Sequence, residues 1–131
     1  RSRRQRQMCI RDRVSSIIRE ITGGKYTRLI VEDQLKMSLI SDGRKIPVSQ
    51  VSRGTIEQIY FALRMTATEV LGREELPVLL DDAFAYYDDV RLENTLKWLA
   101  KNKKQVLIFT CQKREEMLLN KLHITYRKEE V

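Results

Sequence analysis

The chain has 131 residues, enough for one domain or for a piece of a larger one. No run reaches the ~18 apolar residues of a membrane span, and no apolar core follows the basic first residues as in a secretory signal. Cys9 and Cys111 are far apart and predict no disulfide, so we expect a cytoplasmic protein. The net charge is +7, of which residues 1–13 carry +5, so the basic character belongs mainly to a tail.

The basic tail, residues 1–13, differs from the rest of the chain. Within it, Arg3 to Asp12 (RRQRQMCIRD) resembles the direct translation of a transposase-type sequencing adaptor. This resemblance predicts that the tail is not native, that the natural protein continues upstream, and that the tail carries no function. The alternative is a basic arm that binds nucleic acid.

The first part of the chain beyond the tail predicts a helix and three short strands. Apolar residues follow helical spacing from Val14 to Ile21, and Gly23-Gly24 is a typical helix end. Strands are predicted over residues 26–31, 35–40 and 45–48, with the turn signal Asp42-Gly43 between the last two. The sequence therefore predicts a small antiparallel β-meander.

A second helix is predicted from Ser52 to about Leu71. Its apolar residues form a helical stripe at positions 56, 59, 60, 63, 67, 70 and 71. Ser52 is the expected N-cap, and Gly54 keeps the turn ahead of the helix small. The free backbone N–H groups and the positive dipole end of such a helix start suit a phosphate. An ordinary serine-capped helix is the alternative.

A short apolar run over residues 76–82 ends in two adjacent carboxylates, Asp81 and Asp82. Burying them bare would cost several kcal/mol, so a strand that carries them to its end usually brings them to something positive. The pattern is typical of a Walker B strand, whose last Asp binds Mg²⁺ and whose next acid orients or deprotonates water. The alternative is a strand followed by an Asp-capped turn.

The remaining chain predicts a helix from Asp88-Asp89 to about Asn102, a buried strand over residues 105–110, and a short helix over 113–120. An edge strand containing His123 is predicted over residues 122–126. A strand, a helix and a second strand in this order imply a parallel crossover. Four further side chains are expected to pack in the core: Met65, Trp98, Cys111 and Met117.

The order of four motifs resembles the C-terminal half of an ABC-type ATPase head, and within that superfamily the SMC and SbcC coiled-coil ATPases. Most similar are the bacterial YhaN-like AAA family proteins. The motifs correspond to the signature motif, Walker B, the D-loop and the switch strand of that superfamily. They are S-x-G-x-x-E-Q over residues 52–58, LPVLLDD over 76–82, YYDD over 86–89 and FTC over 109–111.

The resemblance implies an α/β fold for residues 14–131: the C-terminal lobe of a P-loop NTPase head, with a parallel sheet flanked by helices and the β-meander before the signature helix. It implies ATP and Mg²⁺ as ligands and a homodimer of heads closed around ATP. It also implies that the intact protein has an N-terminal lobe, missing here, and a coiled coil. DNA and a nuclease are the implied partners, and the implied role is in DNA repair or chromosome maintenance.

The resemblance also assigns roles to single residues. Ser52 and the backbone of Gly54 would meet the γ-phosphate of ATP bound by the opposite head, and Asp88 would contact that head. Arg53 would either clamp the phosphate or lie on the surface. Asp81 would hold Mg²⁺, Asp82 would act as the general base or orient the attacking water, and Gln112 would take the place of the switch histidine. Three of these residues depart from the family pattern: Asp82 is shorter than the usual Glu, Gln112 carries no charge, and Arg53 replaces a glycine.

The chain contains no Walker A loop. Gly24-Lys25 does not form one, because Arg19 stands where that motif needs a glycine and Tyr26 where it needs Ser or Thr. We therefore expect the chain to be inactive by itself. Two other functions stay open: a nucleic-acid-binding module that uses the tail, and a metal-dependent phosphohydrolase. The latter would use four carboxylates, those of Asp81, Asp82, Asp88 and Asp89.

Overall fold

The computed structural model describes residues 3–72 and 74–131, with side chains described from residue 10 onward apart from residue 73. The chain forms two compact units, residues 1–75 and 76–131. The first unit contains α1 (Arg3–Ile21), β1 (Arg28–Val31), β2 (Met37–Ser41), β3 (Arg44–Pro47) and α2 (Arg53–Leu71). The second contains β4 (Val78–Asp81), α3 (Asp89–Asn102), β5 (Val106–Phe109) and α4 (Arg114–Lys121). In the described part of the chain, no helix is long and apolar enough to cross a membrane.

Helix α1 ends where the sequence predicts. Gly23 and Gly24 take positive φ angles of 62° and 83°, and the Gly24 N–H donates to the carbonyl of Arg19 at 2.8 Å. Glycine accepts this left-handed conformation without a Cβ clash, which makes it the usual residue after a helix. The helix crosses the predicted tail boundary at residue 13 without a break. That residues 1–13 are non-native remains a prediction.

The predicted β-meander is confirmed, with β1 antiparallel to β2 and β2 antiparallel to β3. Leu29, Leu39 and Ile46 lie side by side across the three strands. Residues 33–35 form a 3₁₀ turn, so β2 begins at Met37 rather than at residue 35.

Helix α2 has the predicted bounds, but its buried face lies to one side of the predicted stripe. Phe61, Ala62 and Met65 are buried, whereas Tyr60 is 56% exposed and Leu71 is 82% exposed. The buried face also contains polar side chains, those of Thr55, Gln58 and Thr66. Each of the three makes a hydrogen bond, so its burial is compensated.

The second unit contains the predicted parallel pair. Strands β4 and β5 pair in parallel, with α3 between them in the chain, and Leu80 lies opposite Ile108. One face of the sheet contributes buried Val78 and Leu80, and the α3 residues Leu92, Leu96 and Trp98 are also in the core of this unit. The sequence thus predicted the strand–helix–strand order correctly.

Several predictions for the second unit are wrong. Residues 122–126 form no strand, because the chain turns out of α4 through His123, which has a φ of 56°. Met117 is 68% exposed and Cys111 is also exposed, so neither is a core residue. Met65 and Trp98 are buried as predicted.

Candidate functional site

The first candidate site is the start of α2, in the first unit. Ser52 is the N-cap as predicted: its Oγ accepts a hydrogen bond from the Thr55 N–H at 3.3 Å and lies 3.1 Å from the Thr55 hydroxyl. Ser52 and Arg53 are exposed and Gly54 is buried. Arg53 also pairs with Glu57 one turn along the helix, at 3.2 Å. A serine hydroxyl and the positive end of a helix therefore face solvent together, an arrangement suited to an anion.

Two contacts fix α2 to α1 within this unit. The buried Gln58 side chain donates from Nε2 to the carbonyl oxygen of Ile21, the last residue of α1, at 2.8 Å. Arg13 makes two hydrogen bonds to the Glu69 carboxylate, at 2.7 and 3.0 Å. The hydrogen bond and the charge of Glu69 raise the pKa of Arg13, although burial acts in the opposite direction. The Ser52 turn therefore begins a helix that is held against α1 by these hydrogen bonds.

The second candidate site is the carboxyl end of β4, in the second unit. Asp81 is the last residue of the strand, lies opposite Phe109 of β5 and is exposed. Asp82 is also exposed; its N–H donates to the Phe109 carbonyl at 2.9 Å, and its φ is 48°. A left-handed conformation is uncommon for a residue other than glycine, although aspartate is among those that tolerate it best. The chain thus leaves the sheet at Asp82 with two carboxylates accessible to a cation.

The loop after the acid pair is held by its aromatic residues and leads to Asp88. Phe84 and Tyr87 are buried with ring centroids 5.3 Å apart, and the Tyr87 N–H donates to the Phe84 carbonyl at 3.0 Å. Asp88 is the N-cap of α3: its carboxylate accepts from the Arg91 N–H at 2.8 Å and pairs with the Arg91 guanidinium. The Asp88 side chain is still 55% exposed. Capping therefore leaves part of this carboxylate accessible.

Gln112 follows β5 and is exposed. Its N–H donates to the Thr110 hydroxyl at 2.9 Å, which bends the chain directly after the strand. Because β4 and β5 are parallel, Gln112 lies at the same end of the sheet as Asp81 and Asp82. Three of the sequence-predicted residues of the second unit, Asp81, Asp82 and Gln112, therefore lie at one sheet end. Among the described residues, no group of three or more His, Cys, Asp or Glu side chains is placed to hold a metal ion.

Arg114 also belongs to this second site, although no role was predicted for it from the sequence. Its guanidinium donates to the carbonyl oxygens of Phe84 and Tyr87, at 2.7 and 2.5 Å. Arg114 is the first residue of α4, where a positive charge is opposed by the helix dipole. That unfavourable position is the one sequence signal that points to Arg114.

Comparisons with known proteins agree with this architecture. No protein-family model matches the chain. The chain is 34% identical over 99 residues to the uncharacterized protein YhaN of Bacillus subtilis (strain 168), a match that covers 71% of this chain. It spans about 10% of the length of YhaN.

Solved structures show the same fold. The chain matches a structure from work on the ATP-driven dimerization and DNA-stimulated activation of SMC ATPases, with a TM-score of 0.70 and 16% identity. That match covers 87% of this chain and 74% of the other. The chain also matches an Smc head domain with an extended coiled coil, bound to the C-terminal domain of ScpA, from Pyrococcus furiosus. There the TM-score is 0.64 and the identity 14%, over 88% of this chain and 31% of the other. The chain therefore has the fold of the C-terminal lobe of an SMC-like ATPase head.

Proposed function

We propose that the chain is the C-terminal lobe of a head that binds and hydrolyses ATP and dimerises around it. The observation that carries this proposal is the exposed carboxylate pair at the carboxyl end of β4, on a lobe with the SMC head fold. Ligands of open parallel sheets bind at that end. Carboxylate oxygens are also the ligands that Mg²⁺ prefers. The chemistry of the residues present therefore fits ATP with Mg²⁺.

Each residue of the acid pair has a distinct proposed role. Asp81 would hold Mg²⁺, which when bound neutralises negative charge on the phosphate oxygens. Asp82 would orient the attacking water or accept its proton, helped by the turn that carries it out of the strand. Gln112 would donate a hydrogen bond to the γ-phosphate from the same sheet end.

The start of α2 and the Asp88 loop would act between two heads. A hydroxyl has one donor and two acceptor lone pairs, so Ser52 can cap α2 as an acceptor and donate to a phosphate oxygen. Arg53 and Gly54 would add a charge and a backbone N–H at the same helix start. The exposed part of Asp88 would contact the opposite head.

A second lobe is needed because these 131 residues contain no phosphate-binding loop. An open sheet face supports this requirement. Leu79 is 54% exposed, Leu107 37% and Phe109 48%, all on one face of the two-stranded sheet. Parallel sheets are normally covered on both faces, so we infer that an N-terminal lobe with the P-loop packs here.

The setting of the complete protein follows from the same proposal. DNA is a proposed partner, supported by similarity to a structure from work on the DNA-stimulated activation of SMC ATPases. We also propose a nuclease partner and a coiled coil that continues from α1. The proposed location is the cytoplasm, and the proposed role is in DNA repair or chromosome maintenance.

ATP-dependent dimerisation tests the proposal in the complete protein, which joins this lobe to its P-loop lobe. Asp82→Asn should slow hydrolysis and trap a dimer in ATP and Mg²⁺, seen as a doubled mass in light scattering after size exclusion. Asp81→Asn should abolish the dimer because Mg²⁺ is no longer held. Asp42→Asn, in the turn after β2, is the matched control and should behave like wild type. An Asp82→Asn protein that stays monomeric and hydrolyses ATP at the wild-type rate would refute the proposal.

A further inference from the structure

Arg114 joins two segments of the second unit that are remote in sequence. Its Nη2 donates to the Phe84 carbonyl at 2.7 Å and its Nη1 to the Tyr87 carbonyl at 2.5 Å. Nη1 also lies 3.8 Å from the Asp89 carboxylate, in the first turn of α3. A single guanidinium therefore bonds to both ends of the turn between Phe84 and Tyr87 and reaches the helix that follows.

These bonds use the particular geometry of arginine. The guanidinium has five N–H donors in a planar fork, so two of its nitrogens can each donate to a different carbonyl. Hydrogen bonds with a charged donor are stronger than neutral ones, and the Arg114 side chain is only 30% exposed, which limits competition by water. Lysine offers one ammonium group on a flexible stem and cannot reproduce the fork.

The two joined segments carry the candidate site residues of this unit. The loop from Asp82 to Asp88 links the acid pair to the cap of α3. Arg114 itself lies two residues after Gln112, at the start of α4. Arg114 therefore connects the Gln112 segment directly to the backbone of the Asp88 loop.

We propose that Arg114 is a positioning residue that couples the Gln112 segment to the Asp88 loop. In a head that functions as proposed above, this coupling would tie the group facing the γ-phosphate to the loop facing the opposite head. The effect of this coupling on ATP turnover rests on the proposed function, whereas the contacts of Arg114 do not require nucleotide.

The first test measures hydrogen exchange by mass spectrometry on the 131-residue chain. In Arg114→Met, the peptide covering residues 82–91 should exchange about ten-fold faster or more, because two charge-assisted bonds are lost. Peptides from α1 and α2 should not change. Arg114→Lys, which keeps the charge but offers a single donating nitrogen, should give an intermediate rate. Lys113→Met removes the same charge one residue earlier and is the matched control.

The outcomes of this test are distinct. Faster exchange confined to the Asp88 loop in Arg114→Met, with Lys113→Met like wild type, supports the proposal. Unchanged exchange in the loop overturns it. An equal acceleration of every peptide of the second unit also overturns it, because Arg114 would then only stabilise the fold.

The second test measures ATP turnover of the complete protein. Arg114→Met should lower kcat about ten-fold with little change in the KM for ATP, and Arg114→Lys should restore part of kcat. A wild-type kcat in Arg114→Met overturns the coupling. If wild-type protein turns over no ATP, the proposed function fails, and the exchange result still decides whether Arg114 fixes the loop.

Discussion

In our proposal, Ser52 combines two tasks on one oxygen atom. Its hydroxyl accepts the Thr55 N–H at 3.3 Å, which caps α2, and it stands at an exposed helix start where we propose that a phosphate binds. Because serine and aspartate are equally good N-caps, the two tasks can be separated by substitution.

Ser52→Asp should keep the stability of the chain but abolish ATP-dependent dimerisation of the complete protein, because a carboxylate repels the phosphate. Ser52→Ala should cost about 1 kcal/mol of stability through the lost cap. Urea unfolding of the chain and light scattering of the complete protein measure the two effects. ATP-dependent dimerisation of Ser52→Asp at the wild-type level would contradict the phosphate role.

At the scale of single residues, the sequence predicts those whose role follows from their residue type and their position next to a helix start or a strand end. It does not predict those that form hydrogen bonds with backbone groups far away in the chain. Ser52 and Asp81 stand next to the helix start and the strand end that explain them. Arg114 and Gln58 bond to carbonyl oxygens 27 to 37 residues away. Every residue carries a carbonyl, so no complementary residue type marks these partners in the sequence.

Helix α2 begins at Ser52, so its attachment to α1 positions the first candidate site. Gln58 is 2% exposed, and its side-chain amide donates a hydrogen bond to the carbonyl oxygen of Ile21, the last residue of α1. The bond couples the helix that begins at Ser52 to the helix that, in our proposal, continues into a coiled coil.

Gln58→Leu should destabilise the chain by about 1–3 kcal/mol, because the buried Ile21 carbonyl loses its side-chain donor. Gln50→Leu, at an exposed position of the same unit, is the control and should change stability by less than about 0.5 kcal/mol. Chemical denaturation of both variants measures the difference. Equal stabilities of the two variants would show that the Gln58 bond contributes nothing.

Helices α3 and α4 are linked by an ion pair that depends on pH. Lys121 Nζ lies 3.3 Å from the Glu93 carboxylate, and this hydrogen bond, together with the charges of Lys121 and Lys97, lowers the pKa of Glu93. A carboxyl with a lowered pKa in the folded state stabilises the fold above the ordinary Glu pKa of about 4.3, and loses that contribution as the pH falls through the folded-state value.

Lys121→Met should therefore lower the melting temperature at neutral pH, and its difference from wild type should disappear in acid, when Glu93 is protonated. Lys101→Met, on the exposed face of α3, is the charge-matched control. Thermal melts followed by circular dichroism across the acid range measure this. A difference that persists unchanged in acid would mean that Lys121 stabilises by packing.

The predicted strand over residues 122–126 fails for a local reason. Leu122, Ile124 and Tyr126 alternate with polar residues as in a strand. The Ile124 N–H instead donates to the Leu119 carbonyl at 3.0 Å, and His123 takes the left-handed conformation that glycine usually supplies after a helix. Alternation alone does not reveal a helix cap without glycine.

For the molecule as a whole, the order of motifs predicts the fold better than any one of them. Signals such as the Ser52 helix start and the acid pair at Asp81-Asp82 are weak alone, but their order predicted a head lobe, and the solved SMC head structures have the same fold. Exposure could not be predicted in the same way. Leu79, Leu107 and Phe109 are apolar strand residues that the sequence treats as core, yet they lie on an open sheet face. That face is the whole-molecule feature from which we infer a second lobe.

We propose above all that this lobe supplies the acid pair and needs a P-loop lobe for catalysis. The most direct test is ATP turnover with Mg²⁺, measured for the 131-residue chain alone and after joining it to the P-loop lobe, with Asp81→Asn as the background in both cases. We predict no turnover above background for the chain alone and clear turnover for the joined protein. Mg²⁺-dependent turnover by the chain alone, lost in Asp81→Asn, would contradict the claim.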